Sequence, residues 1–321
     1  MALYIIRRAL WALVAVLIVL LITFVVFYVL PAGDPALRFA GKSPTPETLA
    51  LIRDRLGLDE PWYEQYGRFV KNFFTGDEHG WPGLGYSYGD SVSVLEEVKE
   101  RAPRTLLLIL GAATIWIVVG VSIGVLSAVR RRSVVDRAAM GFVLIGISSP
   151  VFWLGLMALF IFWKQLGWTG GTGYVPLTES VSGFFSHMIL PWTVLALLFA
   201  AIYARMTRNS LLETLGEDYI RTARAKGLSE RRVISHHALR ASLAPIITMF
   251  GMDIALLVGG AVITESVFNI QGLGWMAITG TLNQDLPIVL GVVTLAAVAV
   301  VFMNFVVDIA YAFLDPRVRY E

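Results

Sequence analysis

The chain has 321 residues, with 26 Lys and Arg against 24 Asp and Glu; it is 56% hydrophobic and 16% charged, with a mean hydropathy of +0.69. Soluble domains carry about a quarter charged residues, so a water-soluble globule is excluded, and a net charge of +2 is too small for a nucleic-acid binder. With no cysteine there is no disulfide framework, no thiolate metal site and no Cys nucleophile.

A bilayer core of about 30 Å takes roughly 20 apolar residues of helix. Residues 9–30 are the first such run, and with no A-x-A site following they predict an uncleaved anchor rather than a signal peptide. Residues 31–104 are too many for a mere connection. Within them Thr45-Pro-Glu-Thr-Leu reads as an N-cap with Pro at the first helical position, and Gly57 closes that helix. Trp62, Tyr66, Phe69, Val70 and Phe73 recur at helical spacing and predict an amphipathic second helix. His79 to Tyr88 is rich in Gly, Trp and Tyr and has no helical period. The stretch is expected to form a small external subdomain, either a docking surface or a cap over helix ends.

Residues 105–129 and 138–163 are uncharged spans, separated by Arg130–Arg132 as an orientation anchor. Pro150 and Pro191 are expected to kink or unwind spans three and four. Gly170-Gly-Thr-Gly-Tyr reads as an external loop whose glycines serve turns. The fourth span, 184–204, carries only His187. Between it and the fifth lies residues 207–241, where Glu217 to Lys226 read as a short helix stopped by Gly227 and Ser229 caps another. Two short helices hinged at a glycine make either a docking knob or a plain surface hairpin. Ala223 and Ala225 would let another surface approach closely.

The fifth span, 242–264, is apolar except for Asp253 at its middle. An unpaired charge there costs at least about 2.5 kcal/mol, so Asp253 faces a bundle interior, a wet path or a partner. Glu265 ends that helix, Gly259-Gly260-Ala261 offers a small-residue face, and Asn304 and Asp308 lie in the last span, which begins at Leu286. Six spans put both termini on one side. That side holds sixteen Lys and Arg, against Lys164 alone in the short loops opposite, which predicts both termini inside.

Ala40-Gly-Lys-Ser imitates the end of a phosphate loop, but the pattern needs a glycine where Ala36 stands. His236 and His237 point about 100° apart on a helix and cannot readily share a metal. No catalytic or metal-ligand constellation is visible, so the chain has no engine of its own.

The run from Asp218 through Tyr-Ile-Arg-Thr-Ala-Arg-Ala-Lys-Gly-Leu-Ser-Glu-Arg-Arg-Val, followed by His237-Ala-Leu-Arg, resembles the "EAA" loop of binding-protein-dependent ABC permeases of the dipeptide/oligopeptide/nickel group. The likeness extends through Leu56-Gly-Leu-Asp-Glu-Pro, Arg101-Ala-Pro-Arg-Thr-Leu, Gly259-Gly-Ala-Val-Ile-Thr-Glu-Ser-Val-Phe, Gly272-Leu-Gly and Asp315-Pro-Arg-Val-Arg-Tyr. It suits the first of the two permeases such importers carry. Arg221, Thr222 and Ala223 stand where the general motif has Glu-Ala-Ala, and Arg240 where it has a later Pro.

The resemblance implies an all-α permease of about six spans in a prokaryotic inner membrane: an anchor at 1–30, an extracytoplasmic insertion at 31–104, a core at 105–314 containing the coupling loop 207–241, and a cytoplasmic tail at 315–321. It implies a second homologous permease, two ATPase subunits carrying ATP and Mg, an extracytoplasmic binding protein, and neither catalysis nor a cofactor on this chain. Tyr219, Arg221, Thr222, Ala223, Arg224, Ala225, Lys226, Gly227 and Leu228 would meet an ATPase. Asp253, Glu265 and Asn304 are candidates for the translocation path. The rival readings are an ion-coupled secondary transporter, which would show inverted repeats, and a permease for nickel or another solute.

Overall fold

A computed structural model describes residues 2–30, 33–41, 45–258 and 261–314. Lys42 and Ser43 of the phosphate-loop imitation, the Gly259-Gly260 pair and the tail 315–321 lie outside the described residues. The fold is helical throughout apart from one two-stranded hairpin among those residues. It divides into two compact units, Met1–Leu106 with Ala255–Val306, and Leu107–Ile254 with Val307–Glu321.

The first unit opens with α1 (Ala2–Phe24), which continues as a π-helical turn, Val25–Val29. Helix α2 (Pro35–Phe39) follows, then α3 (Pro46–Leu56). The latter starts where the Thr45 hydroxyl accepts the Thr48 N–H and ends at Gly57, whose φ of 64° suits glycine, as the sequence predicts. Helix α4 (Trp62–Thr75) sets Phe73 in the core with Tyr66, Phe69 and Val70 packed beside it. Trp62, expected on that face, is 59% exposed because it opens the first turn and points away. In the segment expected to be only loop, His79 to Tyr88, Tyr86–Ser87 (β1) forms a strand, pairing antiparallel with Val92–Ser93 (β2) beyond it.

Helix α5 (Val94–Val129) begins eleven residues before the expected span, in amphipathic turns tied by Arg101–Glu97 and Arg104–Glu100 ion pairs, each at 2.6 Å. Helices α13 (Val262–Phe268) and α14 (Leu273–Asn283) and the first part of α15 (Leu286–Leu314) complete this unit. Leu20, Phe73, Leu84, Val94, Leu273 and Ile288 share one core, and Ala36, Phe39, Ile52 and Leu290 a second. Helices α2, α3 and α4 thus pack against one end of α1 and of α15.

The second unit packs the rest of α5 with α6 (Val134–Ser148), α7 (Val151–Ala158, continuing in π form through Leu159–Gln165) and α8 (Val181–Leu215). Ser149 is held extended (φ −91°, ψ 125°) by the ring of Pro150, and the chain bends there by 102°. The expected third span is therefore two helices at more than a right angle. Pro191 sits inside α8 without ending it. At about 52 Å, α8 outruns a bilayer core and reaches into what sequence periodicity assigns to a loop. Beyond it come α9 (Asp218–Ala225), α10 (Glu230–Arg232), a π turn at Val233–Ala238, α11 (Leu239–Ser242) and α12 (Ala244–Val258).

Among the described residues, four helices are long and apolar enough to cross a membrane, Tyr4–Val29, Val94–Val129, Val181–Leu215 and Leu286–Ile309. The expected six are reached when the bent pairs Val134–Ser148 with Val151–Gln165 and Glu230–Ser242 with Ala244–Leu257 each count as one. Close contact between α5 and α8 rests on glycine. A Cβ at Gly120 would lie 2.9 Å from the Ala200 carbonyl oxygen, and one at Gly124 would lie 2.6 Å from that of Ala204. This small-residue seam lets two long helices touch backbone to backbone.

Candidate functional site

The hairpin after α8 is amphipathic in miniature. On α9, Ile220 and Ala223 are buried, three residues apart, among Ala128, Leu211, Val233 and Ala238. Tyr219, Arg221, Thr222, Arg224 and Ala225 of the same helix face outward, with Lys226 and Gly227 after it, while Leu228 is half-buried. The sequence reading offered both alanines for close approach. Ala223 is instead spent on the chain's own core, because it shares the Ile220 face, and only Ala225 remains outside.

Gly227 turns the chain at φ 77°, and its N–H reaches the Arg224 carbonyl at 2.9 Å. Arg224 then grips Glu230 across the turn with two bonds, 3.1 Å from Nε and 2.7 Å from Nη2. The guanidinium holds the Glu230 carboxyl below the usual glutamate range. Both groups are exposed, so the pair defines the turn more than it stabilises it. The Ser210 hydroxyl donates to the Ser242 carbonyl at 3.1 Å, closing the base of the hairpin on α8. The result is a knob with a fixed base and a basic outer face.

Asp253 lies on α12 in the second unit, half-buried, and accepts the Tyr203 hydroxyl at 2.7 Å. Tyr203 is itself fully buried beside Trp116, which also meets Phe199 and Phe250. The Tyr203 hydroxyl thus fixes the orientation of the Asp253 carboxyl group.

Glu265 and Asn304 belong to the first unit. Glu265 is fully buried. It accepts the Thr105 hydroxyl at 2.7 Å and the Trp275 N–H at 2.9 Å, while Thr105 also accepts the Leu273 N–H at 2.8 Å. Burial pushes its carboxyl above the ordinary range, and these donors pull it back. A raised acid contributes its stability at low pH and loses it as pH rises through the folded value. Glu265 thus joins α5, α13 and α14 in a closed network, the geometry of a structural lock. Asn304 is exposed on α15. Thr105→Val is expected to cost about 1–3 kcal/mol by leaving a buried carboxylate oxygen and an N–H unpaired. A thermal melt of the purified chain in detergent checks this, and an unchanged midpoint contradicts the lock.

Sequence reasoning missed Asp136 and Arg208. Asp136 is 5% exposed and accepts Arg208 through both carboxylate oxygens, at 2.7 and 3.0 Å. Arg208 reads in sequence as one more orientation charge, and nothing in a 72-residue separation announces its partner.

Two family profiles match the chain. The N-terminal membrane component of binding-protein-dependent transport systems covers residues 1–109, and the inner membrane component of those systems covers residues 120–320. A membrane-embedded, helical permease component is thus the class that the fold and the hairpin define. The chain belongs to the family of binding-protein-dependent transport system inner membrane components, multi-pass proteins of the prokaryotic inner membrane. Over 317 residues it is 42% identical to a Brucella abortus (strain 2308) protein provisionally named as a permease of a peptide transport system, with 99% of both chains covered. It is 37% identical over 325 residues to the dipeptide transport system permease protein DppB of Escherichia coli (strain K12), with 94% of each covered. A chain of the inward-facing MetNI methionine ABC transporter superposes with a TM-score of 0.52 at 19% identity, covering 69% of this chain and 97% of that one, a likeness of fold.

Proposed function

We propose that this chain is one permease half of an ATP-driven peptide importer, working with a second homologous permease, two ATPase subunits and an extracytoplasmic binding protein. The observation that carries the reading is the hairpin at 207–241: an anchored inner face, an exposed outer face that is net basic, and a glycine turn. Tyr219, Arg221, Thr222, Arg224, Ala225, Lys226 and Gly227 meet the ATPase, and Ala223 and Leu228 hold the helix to its own bundle. ATP and Mg belong to the ATPase subunits, and this chain is non-catalytic with no cofactor of its own. Both termini and the hairpin are cytoplasmic, and 31–104 faces the binding protein. Peptides are favoured as cargo because the relatives named above carry that assignment over their full length.

In this reading Asp253 faces the path in the second unit, held by Tyr203. Asp253→Asn keeps the hydrogen bond and removes the charge; it is expected to lower transport several-fold while the complex stays assembled. Uptake per assembled complex measures this, and unchanged uptake returns Asp253 to a structural role. The reading as a whole is tested in proteoliposomes holding the assembled complex. Dipeptide uptake driven by ATP and indifferent to proton or sodium gradients supports it; gradient-driven uptake without ATP makes the chain a secondary transporter.

A further inference from the structure

The family assignment does not use the polar cluster at the base of the hairpin. Asp136, in the first turn of α6, has each carboxylate oxygen doubly satisfied. Oδ1 accepts Arg208 Nε at 2.7 Å and the Ser127 hydroxyl at 2.5 Å; Oδ2 accepts Arg208 Nη2 at 3.0 Å and the Arg132 N–H at 2.9 Å. Four donors from α5, the 130–133 turn and α8 therefore converge on one buried side chain of α6. Arg132 donates from a left-handed conformation, φ 64°, which a non-glycine residue adopts only when its surroundings hold it there.

Such a pair adds little net stability, since desolvating two charges offsets most of their attraction. What it defines is geometry: a bidentate guanidinium admits one orientation of its carboxylate. Its position is what matters. Ser127 adjoins Ala128, and Arg208 lies one turn before Leu211; Ala128 and Leu211 are the residues that receive Ile220 and Ala223 of α9. The apolar socket of the hairpin and the polar clamp on α6 are thus successive layers of the same two helices. Past the clamp, α6 runs tightly along α8, where a Cβ at Gly146 would approach that of Ala201 to 2.7 Å.

We propose that the Asp136–Arg208 pair is a positioning latch that makes the hairpin and α6 move as one body, so that displacement of α9 reaches the bend at Pro150. This rests on the importer reading, in which ATPases displace α9. Because the chain has no cysteine, single cysteines at the exposed positions Val134 on α6 and Arg232 on α10 take spin labels cleanly. In the assembled complex with its ATPases, the distance between labels is expected to be narrow and the same with ADP and in the vanadate-trapped state. Arg208→Lys keeps the charge but loses the bidentate grip. It is expected to broaden that distance, shift it on trapping, and raise the ATP hydrolysed per dipeptide imported.

An Arg208→Lys distance identical to the parent's in both states, or a parent distance that itself changes on trapping, overturns the latch. Where Arg208→Lys does not assemble, Ser127→Ala removes one donor and leaves the ion pair. The same broadening in that variant supports the latch, and parent-like distances in it overturn the latch. A parent chain that captures no ATPase defeats the importer reading instead, so the two failures are distinct.

Discussion

Gly227→Trp is expected to leave the chain inserted in the membrane while abolishing the stimulation of ATP hydrolysis by liganded binding protein. Gly227 is exposed, and a Cβ built there meets nothing within 4 Å, so a side chain leaves the backbone into open space. Its backbone sits at φ 77°, where a side chain costs about 1–2 kcal/mol, a strain confined to a solvent-exposed turn. The bulk is added to the exposed turn that follows Arg221, Arg224 and Lys226. ATP hydrolysis with and without binding protein and dipeptide measures the effect. Gly227→Ala, which brings the strain without the bulk, should keep most of the stimulation. Normal stimulation in the Trp variant removes the hairpin from the coupling path.

Gly124→Leu should fail earlier, at folding. A Cβ at this position would lie 2.5 Å from Thr207 Cβ and 2.6 Å from the Ala204 carbonyl oxygen, and backbone cannot swing aside as a side chain does. Overpacking a tight contact costs about 1–3 kcal/mol when neighbours can yield, and here α5 and α8 must separate along their seam. That separation would disturb the clamp at Ser127 and Arg208, one turn further along both helices. The expected result is a large drop in monodisperse protein by size-exclusion chromatography in detergent, and a lower melting temperature for what survives. A parent-like melt contradicts the close α5–α8 contact.

What could be read from the sequence was local. Thr45, Pro46 and Gly57 mark a helix because capping acts within one turn, and the turn at Gly227 is legible for the same reason. Spans are legible where the bilayer demands length and apolarity. Facing is not: Ala223 and Ala225 are equivalent in sequence, and only the packing of Ile220 distinguishes them. Long-range pairs are not legible either. Glu265 and Thr105 lie 160 residues apart and Tyr203 and Asp253 lie 50 apart. Thus of three polar groups proposed for the path, Glu265 proves bound into a closed network, Asp253 held by a phenol, and Asn304 exposed. Pro150 and Pro191 carry the same chemistry, yet one ends a helix and the other is absorbed within α8.

The most direct measurement is to tag the chain, extract it from its native membranes in mild detergent, and identify what accompanies it by mass spectrometry. A second permease and ATPase subunits in matched amounts are the result the account predicts. Recovery of the chain alone, active in uptake driven by a proton or sodium gradient, would contradict it.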